Sequence, residues 1–155
     1  MIYNMVTIEE FKKKHTNKVR LIGLDIGSKI IGVSICDEKQ SIATPFKTIN
    51  KTNFNDLINK LKKIIEENNI KGIIIGNPVN MDGSLGNSAQ SIKDTSNNIA
   101  KSIDLPLCLW DERLSTVGAF NLSSQLDVNI SKIKKNIDKN AAAFILQGAL
   151  DYLNN

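Results

Sequence analysis

The sequence predicts an α/β fold with one five-stranded mixed sheet, in which three antiparallel strands are followed by two parallel strands and helices cover both faces. Two observations carry this prediction. Three apolar runs rich in β-branched residues follow one another with short connections, which is typical of an antiparallel meander. Two later apolar runs each follow a helical segment, and a helix between two strands implies a parallel crossover with both sheet faces covered.

The elements are predicted in order along the 155 residues. Residues 1–18 are expected to form an N-terminal extension, in which Thr7 and Glu10 fit a capping box that starts a short helix ending near Lys14. Residues 19–155 are predicted to form a single domain, since no linker or repeat interrupts them. The strands are predicted at about residues 19–26, 30–36, 41–48, 72–76 and 105–110. The helices are predicted at about residues 53–68, 85–103, from 115 or 116 onward and 138–153, with a lysine-bearing loop at 127–137.

Composition and charge limit the classes of function that this protein can have. The net charge of +4, from 20 basic and 16 acidic residues, permits a polyanionic partner and does not require one. Cys36 and Cys108 lie in apolar runs without metal-like spacing, so we expect buried, reduced thiols in a cytoplasmic protein. The sequence has no apolar stretch of about 18 residues and no secretory-signal pattern, so a membrane span is not expected.

One acidic residue lies inside the first predicted strand. Asp25 interrupts an apolar run that begins at Leu21, and a second apolar run to Cys36 follows after Gly27. A carboxylate in such a strand costs several kcal/mol unless something pairs with it. A metal ion, or a phosphate bound through a metal, would supply that pairing.

Two further acidic residues follow the fifth predicted strand. Asp111 and Glu112 are neighbours in sequence, so in extended geometry their side chains point to opposite faces of the sheet. Only one of them can join Asp25, and the spacing leaves open which one. A solvated strand end is the alternative interpretation of this pair.

Asp138 heads an apolar stripe of the last predicted helix. The stripe consists of Ala142, Ile145, Ala149 and Leu153. These residues follow at helical spacing and must face the sheet, so the carboxylate of Asp138 is expected to point toward the strands. The alternative is that Asp138 only caps the helix, since Asp is favoured at that position.

Together these carboxylates predict a divalent-metal site. Three like charges that converge are unstable without cations. Mg²⁺ or Mn²⁺ fits such a site better than zinc, because no His or Cys ligand is at hand. Two such ions, about 3.5–4 Å apart, suit hydrolysis of a phosphodiester bond, because they hold the attacking water and the leaving oxygen.

Four motifs make the chain similar to a known family. They are GLDIGSK at residues 23–29, GNPVNMDGS at 76–84, WDERLST at 110–116 and IDKNAAAFIL at 137–146. With these motifs in this order, the chain resembles the YqgF family, bacterial proteins described as Holliday junction resolvase-like and as candidate nucleases of pre-16S rRNA. The resemblance covers residues 19–153 and implies a ribonuclease H-like fold.

The resemblance implies an acidic site made of Asp25, Glu112 and Asp138, and it selects Glu112 over Asp111. Asp25 and Asp138 would hold or bridge the metal ions, and Glu112 would complete the ligand shell or orient the water. Arg113 would lie near the phosphate, where a guanidinium can grip two oxygens; a surface ion pair is its alternative role. Further contacts to nucleic acid are expected from Lys29, Lys132, Lys134, Lys135 and Lys139.

The chain departs from the family at two places. Many members carry Arg where this sequence has Ile30, and members often carry arginines where residues 85–103 offer only Lys93 and Lys101. Phosphate contacts are therefore fewer here, or are moved to the lysines of residues 127–137, whose alternative role is a solvated loop. Contacts of this kind are non-specific and weaken as salt rises.

The leading functional hypothesis is a metal-dependent endonuclease that acts on structured nucleic acid and processes the 5′ end of pre-16S rRNA. The expected partner is RNA, in pre-16S rRNA or a pre-ribosomal particle, or branched DNA, and the enzyme is a monomer or a homodimer. One alternative is a Holliday junction resolvase, and another is a non-catalytic RNA-binding factor in assembly or transcription. A further alternative is an ATP-handling protein, since an Asp-x-Gly turn after a strand also resembles the phosphate loop of actin-like kinases.

Overall fold

The structure, a computed structural model, describes residues 4–78, 87–111 and 130–155 and, within these ranges, the side chains of all but residues 87, 88 and 130–139. The strands in these ranges are β1 (Leu21–Ile26), β2 (Ile30–Cys36), β3 (Ala43–Asn50), β4 (Gly72–Asn77) and β5 (Leu107–Asp111). The helices are α1 (Ile8–Lys14), α2 (Phe54–Glu67), α3 (Asn87–Ser102) and α4 (Ile130–Leu153).

The described strands form one sheet in the order β3-β2-β1-β4-β5. β2 pairs antiparallel with both β1 and β3, and β4 pairs parallel with both β1 and β5. The predicted sheet, three antiparallel strands followed by two parallel strands, is therefore confirmed. β1 lies at the centre of this sheet, where the antiparallel half meets the parallel half.

Helices cover both faces of the sheet, as predicted. One face packs against α2 and α3 through large aliphatic side chains, among them Ile22 and Leu24 of β1 and Ile73 and Ile75 of β4. The opposite face packs against α1 and α4. Neighbouring residues of a strand point to opposite faces, so each central strand contributes to both cores and is mostly apolar, with Asp25 as the exception in β1.

The N-terminal helix is capped by Thr7, as predicted, although the Glu10 carboxylate bonds the Thr7 hydroxyl instead of completing the box at the Thr7 backbone N–H. The Thr7 hydroxyl accepts a hydrogen bond from the backbone N–H of Glu10 at 3.1 Å and donates to the Glu10 carboxylate at 3.2 Å. Phe11 of this helix is buried, and Met5 forms a bridge with Leu107 of β5. α1 is thus packed against the sheet; the division of the chain at residue 18 stays a prediction.

Several predicted strand ends differ from the structure by about two residues, and the loop predicted before the last helix differs by more. β3 begins at Ala43 rather than at residue 41, because the backbone N–H groups of Ser41 and Ile42 donate to the Asp37 carboxylate in a turn. The loop predicted at 127–137 is wrong from Ile130 onward, since α4 begins there. Residues 130–137 contain neither Gly nor Pro, and lysine is a good helix former, so nothing in this segment opposes a helix.

Three smaller predictions concern the cysteines, the membrane and the remaining helix. Cys36 and Cys108 are buried and free, as expected. None of the helices in the described ranges combines the length and apolar character that a bilayer span requires. The helix predicted from residue 115 or 116 lies outside the described residues.

Candidate active site

Asp25 lies near the end of the central strand and faces α4. The side chains of β1 alternate between the two faces, and Ile22, Leu24 and Ile26 belong to the core under α2 and α3. Asp25 therefore shares the opposite face with Gly23 and is half-buried there. This position puts a carboxylate beneath α4 rather than in the aliphatic core.

Gly32 gives the Asp25 side chain an open neighbour on the sheet. The two residues are directly paired across the β1–β2 ladder. A Cβ added at Gly32 would lie 3.5 Å from the Ala142 Cβ and 3.7 Å from the Asp25 Cβ. The Asp25 side chain and Ala142 of α4 therefore border the same small space, which the missing side chain of Gly32 leaves open.

Asp138 lies in α4, one helical turn before Ala142. The prediction that Asp138 opens the last helix is wrong, because α4 begins at Ile130, about two turns earlier. Its alternative role as a simple N-cap residue is excluded for the same reason. The predicted inward stripe is confirmed, since Ala142, Ile145 and Ala149 are buried and Leu153 is partly buried against the same side of the sheet.

The alternation of side chains along β5 shows which face of the sheet Asp111 lies on. Cys108 and Trp110 belong to the core under α1 and α4, while Leu107 and Leu109 pack into the opposite core. By this alternation Asp111 lies on the face opposite to Asp25. Glu112 and Arg113, which the sequence predicts for the site, lie outside the described residues.

Trp110 is a core residue. Its side chain is only 6% exposed, and its ring lies 6.1 Å from the ring of Tyr152 in α4, at an interplanar angle of 58°. Burial of this kind is incompatible with stacking on a nucleic-acid base, which needs an accessible ring face.

Lys29 is the predicted nucleic-acid contact whose side chain is described. It is exposed in the turn between β1 and β2, and its carbonyl accepts a hydrogen bond from the backbone N–H of Lys51 at 2.7 Å. Ile30 beside it is 50% exposed, so an apolar side chain occupies the surface where many family members carry Arg. Four further predicted contacts, Lys132, Lys134, Lys135 and Lys139, lie in α4, and their side chains are outside the described set.

Hard oxygen ligands are the donors that these residues can offer a metal ion. Burial raises the pKa of Cys108 to about 12 and also raises the pKa of Cys36, so both thiols stay protonated at neutral pH. Among the side chains that the structure describes, no group of three His, Cys, Asp or Glu residues could hold a metal. The other two predicted ligands, Glu112 and Asp138, fall outside those side chains. The carboxylate of Asp25 fits Mg²⁺ or Mn²⁺ chemically, and the three-carboxylate site stays a prediction.

Sequence reasoning missed two residues beside the site, Gly32 and Ser34. Both lie within the apolar run of β2, where small residues do not alter the strand pattern. The signal that could have found them is their spacing, since residues two apart in a strand share a face.

Comparison with known proteins identifies the family. A family model described as RuvX, Holliday junction resolvase, matches residues 19–152. A protein of Pelagibacter ubique (strain HTCC1062) named "Putative pre-16S rRNA nuclease" is 78% identical over 151 residues, which cover 97% of this chain and 100% of the relative. Both descriptions denote a nuclease, so the predicted enzyme class is confirmed.

Two solved structures share the fold. The T. thermophilus RuvC in complex with a Holliday junction substrate is similar with a TM-score of 0.54 and 9% identity, covering 86% of this chain and 94% of that one. The yeast mitochondrial Holliday junction resolvase Ydc2 is similar with a TM-score of 0.55 and 11% identity, covering 95% and 84%. Both have the ribonuclease H-like fold that the motifs implied. The chain therefore belongs to the RuvX family of Holliday junction resolvases, the YqgF family that its four motifs indicated.

Proposed function

We propose that this protein is a metal-dependent endonuclease in which Asp25, Glu112 and Asp138 hold two Mg²⁺ or Mn²⁺ ions. The observation that carries the proposal is the position of Asp25, a half-buried carboxylate that faces α4 beside Ala142. Helical periodicity puts Asp138 on the stripe of Ala142, one turn nearer the start of α4. Two carboxylates that converge in this way repel each other unless cations lie between them.

The alternation along β5 supports Glu112 rather than Asp111 as the third ligand. Asp111 lies on the face of Leu107 and Leu109, away from Asp25. If the extended backbone continues for one more residue, Glu112 returns to the face of Trp110 and α4. This argument from parity agrees with the choice that the family motifs imply.

Each group has a role that follows from its chemistry. Bound divalent ions activate a water and stabilise charge on the leaving oxygen of a phosphodiester. The three carboxylates hold the ions and, through Glu112, orient the water. Arg113 binds the phosphate through two oxygens, and Lys29 with the lysines of α4 contacts the backbone of the substrate. Such lysine contacts predict binding that weakens steeply as salt rises.

We propose pre-16S rRNA, cut near its 5′ end, as the substrate. The relative with 78% identity carries a name that specifies a pre-16S rRNA nuclease, and its whole length matches this chain. A bacterial enzyme with this substrate works in the cytoplasm, either on free precursor or on a pre-ribosomal particle.

A junction of DNA strands is the second candidate substrate. The family description and the fold shared with a junction-bound RuvC both favour it. A resolvase must cut two strands symmetrically and therefore acts as a homodimer, whereas a single cut in RNA can be made by a monomer. The mass of the active species in solution distinguishes the two candidates.

The first experiment measures cleavage of a pre-16S rRNA fragment and a four-way DNA junction, each with Mg²⁺, with Mn²⁺ and with a chelator. We expect metal-dependent cleavage of the RNA and a loss of at least about 1000-fold in Asp25→Asn, since this change removes a ligand charge and keeps the side-chain shape. The matched control is Asp94→Asn, because Asp94 is an exposed acid on α3 that accepts a hydrogen bond from Gln90 at 3.1 Å. Cleavage by Asp25→Asn at the wild-type rate would refute the metal site.

The same assay separates the two acidic neighbours. Glu112→Gln should abolish cleavage, and Asp111→Asn should leave most of it. The opposite result would mean that the third ligand lies on the other face of the sheet. Binding of RNA without cleavage under every metal condition would instead support the non-catalytic factor.

A further inference from the structure

A buried serine connects the central strands to α4. Ser34 is fully buried in β2, and its hydroxyl donates a hydrogen bond of 2.7 Å to the backbone carbonyl of Ala142. The Gly23 carbonyl oxygen lies farther away, at 3.4 Å. A backbone carbonyl has two lone pairs, so the Ala142 oxygen can accept this bond and also a backbone hydrogen bond within α4.

Around this bond α4 lies unusually close to the sheet. A Cβ added at Gly23 would lie 2.5 Å from the Ser34 Oγ and 2.7 Å from the Leu146 Cβ, distances that real Cβ atoms do not reach. It would also lie 3.0 Å from the Ala142 carbonyl oxygen. The missing side chain of Gly23 therefore lets α4 approach β1 closely, with the Ser34 hydroxyl and the Leu146 Cβ at the contact.

The Ser34 bond lies next to both proposed metal ligands. Ser34 is two residues from Gly32, the partner of Asp25, and shares its face of the sheet. Its acceptor, Ala142, is four residues, or about 6 Å, along the helix from Asp138. One hydrogen bond thus joins the strand pair that carries Asp25 to the helix turn that follows Asp138.

We propose that Ser34 is a positioning residue whose bond to Ala142 fixes the separation of the Asp25 and Asp138 carboxylates. The inference rests on the proposed function, since it assumes that these two carboxylates share a metal site. Outer groups that orient metal ligands typically change metal affinity by about 10- to 100-fold when they are removed. Loss of this bond lets α4 shift or turn on its contact with Gly23, which changes the spacing of the ligands.

The choice of ion makes the proposal specific. Mg²⁺ demands near-ideal octahedral geometry at about 2.1 Å, whereas Ca²⁺ accepts longer and irregular ligand distances. A displaced helix should therefore weaken Mg²⁺ and Mn²⁺ binding more than Ca²⁺ binding. A general loss of stability would weaken the binding of all three ions alike. The ratio of the Mg²⁺ or Mn²⁺ affinity to the Ca²⁺ affinity therefore reports a displacement of α4.

The experiment titrates the full-length protein with Mn²⁺, follows the free ion by electron paramagnetic resonance, and uses Mg²⁺ and Ca²⁺ as competitors. In Ser34→Ala we expect Mn²⁺ and Mg²⁺ to bind roughly 10-fold more weakly, and Ca²⁺ by less than about threefold. The matched control is Ser96→Ala, because Ser96 is equally buried but donates within α3, to the Ile92 carbonyl at 2.7 Å. It should lower the melting temperature by a few degrees and leave all three affinities unchanged.

Ser34→Cys supplies a second variant, since a thiol is a weak donor at the same position. We expect its metal affinities to lie between those of wild type and Ser34→Ala. If Ser34→Ala does not fold, Ser34→Cys is tested in its place. Wild-type affinities in both Ser34 variants, with binding lost in Asp25→Asn, would overturn the role of Ser34 and leave the metal site standing. Mn²⁺ binding that is equal in wild type and Asp25→Asn would instead overturn the metal site itself.

Discussion

The two faces of the sheet differ around Asp25. Under α2 and α3 the central strands present large aliphatic side chains, such as Leu24 and Ile75, which are fully buried. Under α1 and α4 the same strands also present large apolar residues, Leu21 and Ile74. Beside Asp25, however, they present the glycines Gly23 and Gly32. The first face stabilises the fold through apolar burial, while the second holds a helix at close range beside a carboxylate.

This difference fits the proposed site, in which one face of β1 serves apolar packing and the other serves the chemistry. Because residues of β1 alternate between the faces, Leu24 can contribute a full apolar side chain to the core while Asp25 beside it stays available for chemistry. A substitution on the face of α2 and α3 should therefore change the free energy of unfolding alone. A substitution under α4 should change the metal site as well.

Two leucines of equal burial provide the strongest test of this contrast. Leu61 of α2 is 1% exposed and Leu146 of α4 is fully buried. Each change to Ala should lower the free energy of unfolding by about 3–5 kcal/mol, the usual cost of a large-to-small change in a core. Urea unfolding of the metal-free protein measures this loss, and we expect the two losses to be similar.

Metal affinity should separate the two leucine variants. Leu146→Ala keeps the Cβ next to Gly23 but removes the rest of the side chain from the core under α4, so α4 can shift and weaken Mn²⁺ binding by about 10-fold. Leu61→Ala opens a cavity on the other face and should keep the wild-type affinity while the protein is folded. Equal Mn²⁺ affinities in both variants would show that the position of α4 on the sheet does not control metal binding.

Gly32→Ala is expected to have a smaller effect on the fold and a selective effect on the site. The added methyl would make ordinary contacts, 3.5 Å from the Ala142 Cβ and 3.7 Å from the Asp25 Cβ, so the free energy of unfolding should change by less than about 1 kcal/mol. It fills the space beside the Asp25 carboxylate, and cleavage should fall by about 10- to 100-fold. Cleavage assays and urea unfolding of the same variant check both statements; wild-type cleavage would mean that this space is not used.

The sequence predicted the central sheet correctly because its strands are buried on both faces. Such strands read as continuous apolar runs, and the short connections to β2 and β3 set the antiparallel half. The start of α4 was predicted wrongly, because its first residues are rich in Lys and Asn and resemble a loop. Ile130, Ile133 and Ile137 have helical spacing there, and this was the signal available for the helix.

The sequence located Asp25 as an isolated acid in an apolar strand, but it could not choose between Asp111 and Glu112. That choice depends on which face each residue of β5 takes, and a wholly apolar strand has no polar alternation that would reveal it. Trp110 packs under α4, so by alternation Asp111 faces away from Asp25. Glu112 lies outside the described residues, and its role stays a prediction. Ser34 was missed because its importance comes from a partner 108 residues away, on another element.

The smallest predicted effect concerns the apolar part of the α4 face, at Cys108. Burial, with smaller contributions from Glu10 and Glu9, raises the pKa of this thiol from 9.0 to about 12. Between these values the unfolded chain loses a proton that the folded protein keeps, so the free energy of unfolding must decrease as pH rises from 9 toward 12. Urea unfolding of wild type and Cys108→Ala at pH 8, 9, 10 and 11 measures this slope.

The slope also distinguishes the two cysteines. In Cys108→Ala the free energy of unfolding should fall less steeply with pH than in wild type, by up to about 1 kcal/mol per pH unit. Cys36→Ala should reduce it less, because the hydrogen bond from the Leu21 N–H and the nearby Arg20 both oppose the effect of burial on the Cys36 pKa. Identical slopes in wild type and Cys108→Ala would mean that water reaches the thiol of Cys108. The division of the α4 face into a dry part at β5 and a half-buried part at Asp25 would then be wrong.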